Sequence, residues 1–151
     1  VANGIFNVAK GQIAYYASLP LTNDALVVVL LQSTGLVSDA TMRDYQTLAA
    51  VLAGNTEAAF TNYARKTLVS VAATVDYTND WVDITAANFT YTAAGGATNN
   101  TIGKLIIGYD NDTTAGTDTN IIPVSFHDCS FTTDGTDQTI TIPSPGFARA
   151  A

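Results

Sequence analysis

The chain has 151 residues, 47% hydrophobic and only 13% charged, with a formal net charge of −7 and a sequence pI near 4.2. Average globular chains are about 25% charged, and an acidic chain with six dispersed Lys and Arg residues does not neutralise phosphates, which argues against nucleic-acid binding. No apolar run approaches the roughly 18 residues of a membrane helix, and the length fits one domain with a real core.

Residues 1–9 read as an N-terminal arm. Asn3-Gly4 is a turn signal, while Ile5, Phe6 and Val8 are apolar and need a surface to dock on, either the arm's own domain or a neighbour. The opening residues have neither a basic region nor a long apolar run, so no signal peptide is expected. Gln12 to Ser18 reads as a strand, with Ile13 and Tyr15 on one face and Ala14 and Tyr16 on the other; Pro20 ends it. The run from Ala25 to Leu31 is β-branched and apolar on both faces, the pattern of a central strand covered on both sides.

The period then changes. Ser38-Asp39-Ala40-Thr41 offers N-cap oxygens, and Met42, Tyr45, Leu48, Ala49 and Leu52 follow at helical spacing. Gly54-Asn55 supplies the stop. These signals predict one helix over about residues 40–53, roughly three turns long.

From Arg65 onward short strands alternate with turns. The candidate strands are Lys66 to Ala72, Trp81 to Ile84, Asn88 to Thr92 and Gly103 to Tyr109, then Ile121 to Phe126, Ser130 to Thr132 and Thr139 to Ile142. Turn signals separate them: Thr78-Asn79-Asp80, Gly95-Gly96, Asp110-Asn111-Asp112, and Asp134-Gly135 as a hairpin turn. Pro143-Ser144-Pro145-Gly146 ends the last strand and releases a short tail. The fold expected is therefore mainly β, a β-sandwich or small barrel of about seven to nine short strands. It carries the one short helix and the N-terminal arm. Residues 1–9 form the arm, 10–146 a single β-rich domain and 147–151 a C-terminal tail.

Four groupings invite chemistry. His127-Asp128-Cys129 places a His and a Cys on one face of a strand, where a Cys-His pair makes a thiolate nucleophile. No Gly-rich nucleophile turn precedes Cys129, and the plainer reading is a half-buried strand end. Asp110, Asp112 and Asp118, with Gly116, are spaced like calcium ligands, because alternate carboxylates converge oxygens on one point. The EF-hand Glu is missing, with Ile121 in its place, so a polar loop bonded to its own backbone is the plainer reading. Asp76, Asp80 and Asp83 surround Tyr77 and Trp81, and with Tyr91 these aromatics are the residues a sugar-binding shelf would use. Arg65-Lys66 is the one adjacent basic pair, expected to form a salt bridge with a nearby Asp or a single contact to an acidic partner. Sequons occur at Asn88, Asn99 and Asn111, but without a secretory signal glycosylation is not expected, and the lone Cys129 excludes an internal disulfide. No phosphate-binding loop, dinucleotide fingerprint or His/Cys metal set occurs, and no cofactor is expected.

Several stretches carry a resemblance. They are Ala2-Asn3-Gly4-Ile5-Phe6-Asn7-Val8-Ala9-Lys10-Gly11, Ser38-Asp39-Ala40-Thr41 through Asp44-Tyr45 to Leu48-Ala49, and Arg65-Lys66-Thr67-Leu68. To these are added Asn79-Asp80-Trp81-Val82-Asp83-Ile84, Tyr109-Asp110, Asn120-Ile121-Ile122-Pro123, His127-Asp128 and Gly146-Phe147-Ala148-Arg149-Ala150. Together they resemble the head decoration and minor capsid proteins of tailed bacteriophages. The resemblance implies a non-enzymatic virion protein on the outer surface of the capsid, cementing it by binding the major capsid protein. It also implies self-association on the shell, a trimer being one form, and no catalytic residues. The expected assembly contact is the arm, through Asn3, Ile5, Phe6 and Val8, followed by the loops at 93–101 and 110–119. The alternatives are a tail or other virion component, and a carbohydrate-binding or adhesive β-domain.

Overall fold

The computed structural model describes residues 3–150. The chain opens with strand β1 (Gly4–Ile5), a 3-10 turn (Asn7–Ala9) and helix α1 (Ile13–Ala17), then runs into β2 (Ala25–Gln32). Helices α2 (Asp39–Arg43) and α3 (Leu48–Gly54) follow. The remainder is strand: β3 (Lys66–Thr67), β4 (Ala72–Asp76), β5 (Trp81–Thr85), β6 (Phe89–Tyr91), β7 (Thr101–Asp110), β8 (Ile122–Thr132), β9 (Gln138–Ile140) and β10 (Ala148–Ala150). All pairings are antiparallel, in a five-stranded sheet β1-β8-β7-β2-β3, a three-stranded sheet β10-β5-β4 and a two-stranded sheet β6-β9. The protein is mainly β, consistent with a small β-sandwich.

The five-stranded sheet is the frame, and β2 is its central, doubly covered strand. Leu26, Val28 and Leu30 join a core shared with α1 and the two smaller sheets, including Ile84 and Tyr91. Val27, Val29 and Leu31 point the other way, into a second core with Met42, Leu48 and Val51 of the helices. Alternation along one apolar strand thus feeds two cores, because successive side chains leave opposite faces.

The segment Gln12 to Ser18 is helical, not extended. Ile13, Tyr16 and Ala17 are buried while Tyr15 is exposed, which is i, i+3, i+4 spacing on one helix face. The single helix expected over 40–53 is two helices. Ser38 caps α2 through its Oγ, which accepts the Thr41 N–H at 3.2 Å, and Thr47 caps α3 by accepting the Ala50 N–H at 3.2 Å. The break holds because the Leu48 and Ala49 N–H groups donate to the Ile121 and Asp118 carbonyls at 2.9 and 3.0 Å, which satisfies the free start of α3 from another segment.

Lys66 to Ala72 is likewise not one strand. Only Lys66–Thr67 pairs with β2; Ser70 takes a left-handed φ of 54°, and the chain leaves to form β4. Conversely, the two strands expected on either side of His127 are one, β8. Asp134-Gly135 joins strands of different sheets, so it is not a two-residue hairpin. Gly135 instead donates to the Ala94 carbonyl at 2.7 Å.

Neither end of the described chain hangs free. Gly4 lies opposite Phe126 and Ile5 opposite Ser125, and Phe6 is fully buried beneath the sheet. Gly4 is required by this close approach: a Cβ there would collide with the Phe126 ring. The expected C-terminal tail is strand β10, paired with β5 from Ala148 opposite Ile84 to Ala150 opposite Val82, with Phe147 buried.

Candidate functional site

Among the described residues no three His, Cys, Asp or Glu side chains converge on a point that could hold a metal. The calcium reading of the 110–118 loop meets a specific obstacle. Asp118 is paired with Arg65, whose Nη1 and Nη2 donate to its two carboxylate oxygens at 2.5 and 3.0 Å. The same guanidinium donates from Nε and Nη2 to Glu57 at 2.8 and 2.7 Å, and the Tyr63 hydroxyl donates to Glu57 at 2.9 Å. The Asp118 carboxyl is held below its ordinary pKa by Arg65. Asp110 and Asp112 accept backbone N–H groups two residues on, from Asp112 at 3.1 Å and Thr114 at 3.0 Å. They are turn-forming carboxylates.

The His127-Cys129 pair is set against nucleophilic catalysis. Burial pulls His127 down to about 4, with Asp128 opposing and Lys104 assisting. Burial pushes the Cys129 thiol up to about 11. A neutral thiol beside a weakly basic imidazole is the reverse of a thiolate-imidazolium pair. His127 Nε2 instead shares a hydrogen bond with Ser125 Oγ at 3.0 Å.

The sugar-shelf residues are scattered. Tyr91 is 1% exposed and its buried hydroxyl has no hydrogen-bond partner among the described residues, whereas Tyr77 is 87% exposed. One face of Trp81 is covered by the Arg149 guanidinium, 3.7 Å from the ring centroid. Asp83 ties both together: it accepts from Trp81 Nε1 at 3.2 Å and from Arg149 Nε at 2.7 Å. Asp76 caps its own turn, accepting from Asn79 Nδ2 and from the Thr78 and Asn79 N–H groups, and these bonds hold it below its ordinary pKa. A carboxyl so held does not supply the raised-pKa acid a glycosidase needs.

The arm residues are largely occupied within the chain. Phe6 meets Phe126 edge-on at 5.3 Å between ring centroids. Ile5 and Val8 are half-buried, and Asn3 Oδ1 accepts the Asp128 N–H at 3.0 Å. As placed, Phe6 offers nothing to a partner.

The surface that does stand open is the hairpin β4–β5. From Ala72 to Val75 every residue of β4 is exposed, so neither face of the strand is covered, and it forms a free edge of its sheet. Val75 is 49% exposed and the adjacent Tyr77 at the tip 87%. Beside its tip end lies a groove of about 760 Å³ lined by Lys10, Ile13, Val75, Trp81, Val82 and Arg149 among others. Sequence reasoning passes over this hairpin, because the strand expected over Lys66 to Ala72 ends where β4 begins and leaves Ala73 to Asp76 unassigned. The usable signal was Val75-Asp76-Tyr77, two large apolar residues beside an unmistakable turn.

Comparison of the chain with protein-family models, with curated proteins and with solved structures gave no match.

Proposed function

We propose that this chain is a non-enzymatic structural protein that works by attaching to another protein surface. In the setting its sequence resemblance implies, it decorates and cements the outer face of a tailed-phage capsid by binding the major capsid protein. The observation that carries the reading is the uncovered β4–β5 hairpin, with Val75 and Tyr77 in solvent on a free strand edge. Exposed edges are normally shielded by charge, proline or a covering element, and Ala72-Ala73-Thr74-Val75 has none of these. A neutral, apolar edge of this kind suits main-chain pairing or apolar contact with a partner. The states of His127 and Cys129 further support a role without nucleophilic catalysis.

The test is co-sedimentation of the purified chain with capsids lacking it. Val75→Asp combined with Tyr77→Asp is expected to weaken binding at least tenfold, with the melting temperature changed little. Undiminished binding by this variant would overturn the hairpin as the contact.

A further inference from the structure

Strand β4 has a neighbour on one side only, β5, and its other edge runs free from Ala72 to Asp76. Both ends of the described chain lie elsewhere: the start pairs with β8 in the five-stranded sheet, and β10 pairs along the opposite edge of β5. Among the described residues, no element but β5 hydrogen-bonds to the backbone of Ala72 to Val75. On an edge strand alternate residues turn both N–H and C=O outward, which makes a template for another strand.

The two faces of this strand differ. Ala73 and Val75 share a face with Ile84 and Val82, their partners on β5, and Ile84 is buried in the core. The apolar face of the sheet therefore continues onto β4, where Ala73 and Val75 are exposed. Ala72, Thr74 and Asp76 form the other face, opposite Thr85, Asp83 and Trp81. Asp76 is the one charge in the strand, and its carboxylate is committed to the following turn, accepting from the Thr78 and Asn79 N–H groups and from Asn79 Nδ2.

This edge is complementary to itself. Laid antiparallel against the same edge of a second copy, with Thr74 on the two-fold axis, all five residues pair. Ala72 then faces Asp76, Ala73 faces Val75, and the two Thr74 residues face each other. No charge meets a like charge across the join, and on the apolar face each Val stands beside a small residue. Directly opposed Thr residues are a pairing the chain already uses. Thr90 and Thr139 hydrogen-bond through their hydroxyls at 2.8 Å, and Thr101 and Thr132 at 2.9 Å. Self-complementarity of this kind is what a two-fold contact requires.

We infer that β4 pairs with β4 of a second copy of this chain, antiparallel about Thr74, joining two three-stranded sheets into one of six strands. The inference rests on the reading of this hairpin as an attachment surface. Pairing consumes the main-chain edge and leaves the apolar face, now doubled, for the capsid, and two linked contacts hold more firmly than one.

Sedimentation equilibrium of the purified chain at loadings up to about 0.1 mM detects a dimer of any tighter Kd, and a mass of twice 15.8 kDa is expected. Mild oxidation of two variants tests the register. Thr74→Cys sets its thiols across the axis, within disulfide reach, whereas Ala72→Cys, also at an exposed position, sets them about 14 Å apart along the strands, beyond it. Native Cys129 is common to both and sets the background. Thr74→Cys is expected to give roughly tenfold more covalent dimer than Ala72→Cys. Monomer at every loading, or cross-linking without that preference, would overturn the inference. No capsid enters either measurement, so a monomeric result leaves the capsid contact standing, and failure to co-sediment with capsids leaves the dimer standing.

Discussion

His127 is the side chain whose burial has the most direct consequence in solution. Its ordinary pKa is 6.5, and in the folded chain it is pulled down to about 4. Between those values the unfolded chain binds a proton that the folded chain refuses, so stability rises with pH across that window. The protein is therefore expected to be most stable above about pH 6.5 and to lose roughly 3 kcal/mol as pH falls toward 4. Chemical denaturation from pH 7.5 to 4 measures this loss, and His127→Gln should remove most of it. The lowered carboxyls of Asp76, Asp112, Asp118 and Asp134 start from 3.8 and act below this window, so they do not mimic the signal. Lys104 is the opposite case. Burial pulls its pKa down, but Asp128 at 2.5 Å and Asp39 at 2.8 Å outweigh it and hold the ammonium above its ordinary value. It thereby fastens the start of α2 to β8.

At the scale of elements, the two caps make helix formation in 39–54 local rather than continuous. Thr47→Ala removes the oxygen that satisfies the Ala50 N–H, and a loss of about 1 kcal/mol is expected from denaturant unfolding. Ser38, by contrast, was readable as a cap directly from Ser38-Asp39-Ala40-Thr41. So were the central strand from its unbroken β-branched run, the long strand β7, and the turns at Gly95-Gly96 and 110–112. What could not be read has a common cause. Over five or six residues, i, i+2 and i, i+3 patterns overlap, which is why Ile13 to Ala17 passed for a strand. Strand pairing is set by contacts distant in sequence, so β10 looked like a tail until Ile84 supplied its partner. Of the candidate site residues, Asp118 was legible only as a loop carboxylate and weak calcium candidate, and Arg65 only as a cation expected to meet some Asp: the fold alone brings the two together across 53 positions.

Taken whole, the molecule keeps its few charges busy and leaves its apolar edges open. Arg65, Lys104 and Arg149 all form ion pairs inside the fold. The β4–β5 hairpin, on a surface poor in charge, stands uncovered. Such a surface is cheap to desolvate, since Lys and Glu are the residues depleted from interface cores, and the chain contains a single Glu, Glu57. On the proposed capsid reading, individually weak contacts repeated over a symmetric shell add up to a firm attachment. The most direct test of this account is the copy number of the chain in purified phage particles, by quantitative mass spectrometry against the major capsid protein. The account predicts one copy per capsid subunit or a simple symmetric fraction of that. Absence from the particles, or only a few copies in each, would contradict it.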